Sequence, residues 1–325
     1  MAGYLLNRTL QTIVTLFVMS LLVFIGLYMV GNPVDVLLSS SATPDERLAV
    51  IHAFGLDKPV WVQYWLFLVK ALSGNFGNSF VYNQPALTLI LHRMPATLEL
   101  AFVALILALF IGIPLGVLAG LRPHGLTSKS IMTFSILGFS LPTFWIGLIM
   151  VLAFAVKLGW LPSSGRGETT DLLGVPVSFL TLNGLSHLIL PALSLALYKI
   201  SLVIRLTRAG IMECMQLDYV RFARAKGLPE HRIVIVHVLK NTLIPLITVI
   251  GLELGAVIAF AVVTETIFAW PGMGKLIIDA IGVLDRPVIL AYLMLTVVMF
   301  SIINLLVDIL YSLVDPRVRL QGNSQ

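Results

Sequence analysis

An all-α polytopic membrane protein with six transmembrane helices is the architecture that three features of this 325-residue chain predict. Hydrophobic residues make up 58% of the sequence and charged residues only 11%, less than half the share of about 25% found in ordinary soluble domains. The mean hydropathy is +0.98, more apolar surface than a globular core could enclose. Apolar runs of about 20 residues recur, each long enough to cross roughly 30 Å of hydrocarbon at about 1.5 Å per residue. A soluble enzyme, a disordered chain and a collagen-like fibre are excluded. The lone Cys214 excludes an intramolecular disulfide.

Residues 1–30 hold the N-terminus and the first span, 9–30. Arg8 precedes it as in a signal peptide, but the apolar stretch exceeds a usual signal core and no A-x-A site follows, so it reads as a retained helix. Residues 31–97 form a long outer loop containing the apolar run 60–72, VWVQYWLFLVKAL, too short to cross. Its aromatic residues suit the headgroup zone, as an interfacial or re-entrant helix, and equally suit packing against the spans. The remaining spans, 98–121, 131–156, 187–206, 243–268 and 288–313, build a five-helix core over 98–314, and 315–325 form a tail. Gly112, Gly116 and Gly120 in the second span, and Gly251 and Gly255 in the fifth, place small residues on one helix face, where backbones can approach closely. Pro114, Pro142, Pro191 and Pro245 are expected to interrupt or kink four spans. The second outer loop, 158–186, is rich in Gly, Pro and Ser.

Basic residues set the orientation. With the N-terminus inside, the inner segments are rich in Arg and Lys although the outer ones are nearly twice as long. The net charge of +5 therefore reports topology, and no nucleic-acid partner is needed to explain it. Both termini are predicted to be cytoplasmic.

The inner connection between spans four and five is the most polar part of the core. From Asp218 to Arg232 it reads DYVRFARAKGLPEHR, with Met212, Met215, Val220 and Ala223 supplying apolar contacts between charges. A short amphipathic helix, a left-handed turn at Gly227 and a second helix started by Pro229 are predicted. Such a knob either lies on anionic lipid or docks into a soluble partner.

The strings Asp218-Tyr-Val-Arg-Phe-Ala-Arg-Ala-Lys-Gly227 and His237-Val-Leu-Lys-Asn-Thr-Leu-Ile-Pro245 resemble the EAA coupling loop of ABC-importer permeases. The likeness is to the first, B-type permease of the dipeptide, oligopeptide and nickel uptake family, and it covers nearly the whole chain. Gly55-Leu-Asp-Lys-Pro59, Gly74-Asn-Phe-Gly-Asn-Ser-Phe80, Met94-Pro-Ala-Thr-Leu-Glu-Leu100, Thr264-Glu-Thr-Ile-Phe-Ala-Trp-Pro-Gly-Met-Gly274, Asn304-Leu-Leu-Val-Asp308 and Asp315-Pro-Arg317 follow the family's order. Arg221 and Lys240 stand where the general coupling motif has Glu and Pro, and Asn32 and Asn75 where this branch usually has Asp.

The resemblance implies a type I ABC importer permease fold with its coupling loop at 207–242. It implies a second homologous permease, two cytoplasmic ATPase subunits and an extracytoplasmic solute-binding protein in a bacterial or archaeal cytoplasmic (inner) membrane. It also implies no chemistry and no cofactor on this chain, with ATP and Mg bound by the partners. In agreement, no G-x-x-x-x-G-K-[ST] phosphate cradle occurs. The coupling residues it implies are Asp218, Arg221, Ala223, Arg224, Ala225, Lys226, Gly227 and Arg232: Gly227 for the turn, the alanines for close approach, the cations for the partner. Cargo expected from the resemblance is dipeptides or oligopeptides, with a nickel-type metal chelate or a glutathione-like compound as the alternatives.

Ionisable residues within the spans are the other candidates, because a carboxylate at the bilayer centre costs roughly 2.5–3.5 kcal/mol and must face protein or water. Glu99, Glu253, Glu265 and Asp308, with Lys199 and Asn304, are candidates for the translocation pathway or for packing between helices. Lys199 and Glu253 lie deepest and could pair with each other. The six histidines show no metal-ligand spacing. A proton-coupled secondary transporter is the rival from another class, since kinked spans with buried carboxylates suit it too.

Overall fold

The computed structural model describes residues 2–30, 43–45, 48, 51–52 and 57–314, with side chains left aside at 2–8, 27–30, 244, 248 and 308–314. The tail 315–325, Asn32, Gly55, Leu56 and the side chain of Asp308 lie outside the described residues. The described elements are helical except for one hairpin, and the chain divides into two compact units, Met1–Met94 with Lys275–Ile302, and Pro95–Gly274 with Ile303–Gln325.

In the first unit, α1 (Ala2–Val30) carries the first span and α2 (Val60–Leu72) takes up the apolar run with the bounds its composition suggested. Phe24 of α1 meets Tyr64 edge-on at 5.4 Å and stacks on Phe67 at 5.8 Å, while Ser20 Oγ and Tyr64 Oη share a hydrogen bond of 2.9 Å. Trp61 and Trp65, on the other side of α2, are exposed. The helix thus packs on a span by one face, as one of the two readings of this run expects, and exposes two indoles on another. Ser79 Oγ donates to Asp285 Oδ2 at 2.5 Å and accepts from the backbone N–H groups of Val81 and Tyr82, which ties the loop before α3 (Ala86–Leu121) to the residue preceding α10 (Arg286–Val314).

The second unit is organised around α6 (Leu182–Cys214), whose most apolar stretch is 67% buried. Against it pack α4 (Leu126–Ser140), α5 (Thr143–Met150) and α8 (Leu239–Ile267). The glycine stripe of α3 sets its approach to α6: a Cβ on Gly116 would lie 2.5 Å from Thr207 Cβ and 2.9 Å from the Ile204 carbonyl. Gly112 and Gly120 meet Val203 and Ile211 in the same way, one turn up and one turn down. Gly251 of α8 admits Val307 of α10. The small-residue spacing is therefore a helix–helix seam, as lipid-embedded packing requires.

One interruption expected from Pro142 takes a sharp form, and two further features lie outside the sequence reading. The third span is not one helix. It breaks at Leu141-Pro142 into α4 and α5, which continues as a π-helical stretch, Val151–Lys157, and the two arms meet at 104°. Leu141 is extended (ψ 135°), as a residue before proline prefers, and Pro142 caps α5. At about 1.5 Å per residue neither arm alone reaches across roughly 30 Å, so five helices are long enough to cross and this bent pair makes a sixth crossing only as a whole. Helices run on through Pro114, Pro191 and Pro245. Second, the loop before α6 forms a hairpin, β1 (Thr170–Leu172) paired antiparallel with β2 (Val175–Val177). Its Leu173-Gly174 turn has both φ angles positive (54° and 82°), the twist that suits a two-residue hairpin. Third, α9 (Met273–Gly282) follows Pro271-Gly272, with Met273, Leu276, Ile277 and Ala280 all buried.

Candidate functional site: a charged knob and a buried polar network

The segment after α6 folds as anticipated. Helix α7 (Asp218–Ala225) is followed by Lys226 and by Gly227 at φ 76°, and Pro229 starts the turn Glu230–Arg232, which runs through π-helical Ile233–Val238 into α8. Nothing lies within 4 Å of a Cβ placed on Gly227, so glycine is required there for its backbone angle and not for space.

The knob has two faces. Val220 and Ala223 turn inward and join Ile211, Ile233 and Val238 in a buried cluster, with Val117, Tyr219 and Leu228 against it. Burial pushes the Tyr219 phenol above its usual range. On the outer face Asp218, Arg221, Arg224, Ala225, Lys226 and Arg232 are exposed. Arg224 Nε donates to Glu230 Oε1 at 2.6 Å, bracing α7 against the next turn across the glycine, and this bond holds the Glu230 carboxyl below the usual range. Phe222, missed in the sequence reading, is 62% exposed with Lys226 Nζ 4.5 Å over its ring. The signal was available: Phe222 lies on the side of the helix opposite Val220 and Ala223, an aromatic residue on a charged face.

The intramembrane candidates sort into two groups. Glu99 is buried, and its Oε2 accepts from Arg166 Nη2 at 2.5 Å and Nε at 3.1 Å. Its Oε1 accepts from Ser178 N, Ser178 Oγ and Phe179 N at 2.6–3.0 Å. Arg166 also donates to the Pro176 carbonyl of the hairpin and sits 5.7 Å over the Trp270 ring. Glu265 is fully buried and accepts from Thr97 Oγ1 at 2.6 Å, with Gly272 and Gly274 closing on its carboxylate so tightly that no side chain fits at either. Thr97 Oγ1 accepts from Met273 N at 2.8 Å, and Trp270 Nε1 donates to the Ala96 carbonyl at 2.9 Å. The strings around Met94–Leu100 and Thr264–Gly274 are thus brought together into one satisfied network.

Lys199 and Glu253 stand apart from it, midway along α6 and α8, and form the ion pair that their depth suggested. Lys199 is buried and its Nζ is 4.9 Å from the Tyr198 ring centre. Asn304 is half-buried on α10. Among the described residues no cluster of His, Cys, Asp or Glu could hold a metal ion.

A set of membrane-length helices that projects a two-faced knob from one connection, with Glu99 and Glu265 buried among polar partners, suits a transport permease. The comparisons agree: residues 112–320 match the binding-protein-dependent transport system inner membrane component and residues 1–101 its N-terminal part. The chain belongs to this family of binding-protein-dependent ABC-importer permeases. It is 38% identical to the di/tripeptide transport system permease protein DppB of Pseudomonas aeruginosa, covering 99% of this chain and 100% of that one. It is 39% identical to the oligopeptide transport system permease protein AppB of Bacillus subtilis and 36% identical to the dipeptide transport system permease protein DppB of Escherichia coli, with 98% of this chain and 99% of each relative covered. Among solved structures it resembles the MetNI methionine ABC transporter in inward-facing conformations, with TM-score 0.56 over 70% of this chain and 96% of that one at 19% identity, a likeness of fold. The chain is therefore a multi-pass membrane subunit of a transporter and not an enzyme. Membership implies a partner permease, ATPase subunits that hydrolyse ATP, and a substrate-binding protein.

Proposed function

We propose that this chain forms half of the translocation pathway of an importer for dipeptides and oligopeptides, in complex with a second homologous permease, two ATPase subunits binding ATP and Mg, and an extracytoplasmic binding protein. Peptide cargo is supported by relatives named for di/tripeptide, dipeptide and oligopeptide transport that match over nearly the whole chain. The termini and the knob lie on the cytoplasmic side, where the basic residues concentrate.

The observation that carries the mechanism is the two-faced knob. Its inner face is locked to the ends of α6 and α8 by the Val220 and Ala223 cluster, so force applied to the knob reaches the spans directly. Its outer face presents Phe222 between Arg221, Lys226 and Arg232, an aromatic anchor in a basic rim of the kind that docks into a protein groove. In the cycle this supports, closure of the ATPase dimer on ATP pulls the knob and opens the spans outward. The binding protein then releases its cargo, and hydrolysis resets the assembly. Glu99 and Glu265 act in this reading as scaffold at the outer end, because their carboxylates are already engaged within the protein.

Gly227→Pro tests it. Proline requires φ near −65°, against 76° here, and removes the N–H that Gly227 donates to the Arg224 carbonyl at 2.9 Å. In proteoliposomes holding the whole importer, ATP hydrolysis should continue while peptide uptake stops. Normal uptake would refute the coupling role, and uptake driven by a proton gradient without ATP would favour a secondary transporter.

A further inference from the structure

The break in the third span opens a cavity of about 310 Å³ within the second unit, with Leu141 and Pro142 of the break itself, Phe139, Thr143, Tyr198 and Lys199 in its lining. Phe139 stacks at 4.9 Å on Tyr198, which lies midway along α6, so the break falls at the middle of a membrane-length helix. Non-helical backbone at that depth persists where it is buried in protein or faces water. Leu141 and Pro142 are exposed, and Pro142 has no N–H to offer the Gly138 carbonyl. The cavity is therefore built for water and polar groups, and an acyl chain is a poor occupant. Phe260 of α8 joins the two stacked rings in the wall. Among the described residues the hydroxyls of Thr143 and Tyr198 meet no partner. Lys199 is the one charged residue described in the wall, and its charge is already cancelled by Glu253, which stands outside it.

Resting on the peptide reading above, we propose that this cavity receives one uncharged side chain of a peptide in transit, together with the amide beside it. The rings of Phe139, Tyr198 and Phe260 enclose the side chain, and the unpartnered hydroxyls donate to the amide carbonyl. Small-molecule pockets share this build, mostly apolar and aromatic with a few placed polar groups, and begin at roughly 300 Å³. The volume admits one side chain with its amide and not a whole oligopeptide. A charged side chain finds no counterion there, because Lys199 is engaged, and leaving a charge unpaired at mid-membrane is costly. The site thus favours aromatic and aliphatic residues by shape, without reading a sequence.

The test uses the complete importer with its binding protein in proteoliposomes, given labelled Ala-Phe or labelled Ala-Ala. Thr143→Phe fills the cavity from its own wall. It should lower the ratio of Ala-Phe to Ala-Ala uptake by about tenfold or more, the scale on which a hydrophobic pocket discriminates size. The same binding protein serves wild type and variant, so its preference cancels when the two ratios are compared. An unchanged ratio would overturn the inference and leave the peptide reading standing. Failure of the wild-type importer to take up either peptide would overturn both. A second measurement needs no variant: Ala-benzoylphenylalanine, photoactivated during transport by the wild-type assembly, should attach within residues 139–143 or at Tyr198 or Phe260. Adducts confined to other positions would refute the site even if Thr143→Phe does not assemble.

Discussion

The network around Glu99 and the knob are both dense in charge, yet they handle it in opposite ways. In that network Glu99 is buried and Arg166 half-buried, and they meet each other, a hairpin and an indole; each acceptor is used within the protein. On the knob, Arg221, Lys226 and Arg232 are exposed beside an uncovered phenylalanine, while the apolar side chains of the same helix are spent on the core. The difference separates charge that holds a shape from charge that is offered to a partner. On the proposed cycle, the first fixes the frame against which the second moves.

The contrast can be broken most severely at Glu99. Glu99→Ala strands the half-buried Arg166 guanidinium and three donors from Ser178 and Phe179, and removal of one partner from a buried pair costs up to about 3–5 kcal/mol. Most of the subunit should be lost from the membrane, measured by immunoblot and by thermal melting of the purified complex. A fully stable variant would mean that the network is ornamental. A smaller and different effect is expected at the knob. Phe222→Ala should leave the melting temperature unchanged but weaken ATPase docking by about 2 kcal/mol, the loss expected for an aromatic hot spot, measured by titrating ATPase against the reconstituted permease.

The smallest effect concerns the brace between Arg224 and Glu230. Because the folded-state pKa of Glu230 lies below its unfolded value, the stability it contributes is present above the ordinary carboxylate range and is lost as pH falls through the lowered value. Docking should therefore not change across neutral pH and should loosen only in acid. Glu230→Gln should remove that acid dependence while altering neutral-pH docking little, since both side chains are exposed.

Much of the bundle was legible because hydropathy reports what lies in lipid: α2 has the bounds of its apolar run, and the glycine stripe of α3 forms the seam its spacing suggested. The knob was legible because Gly227 and Pro229 are local signals whose backbone angles do not depend on distant residues. Other features were not. Pro142, Pro191 and Pro245 carry the same sequence signal, yet only the first ends a helix, since tertiary packing decides whether a proline is accommodated within a continuous one. Helix α9 was overlooked although its buried positions recur at three, four and seven residues, because it is too short to stand out in a search for crossings. The partners of Glu99 and Glu265 are separated from them by 67 to 168 positions, so whether those carboxylates were pathway or frame could not be read from spacing.

The central claim is that the outer face of the knob is held by a separate motor protein. A Cys214→Ser background removes the sole native thiol, and Phe222→Cys then places a unique one on that face. A short thiol crosslinker applied to the intact assembly should join this position to an ATPase subunit, in a yield that changes when ATP is added. Attachment to phospholipid alone, or labelling only by a reagent confined to the outside of the membrane, would contradict the account.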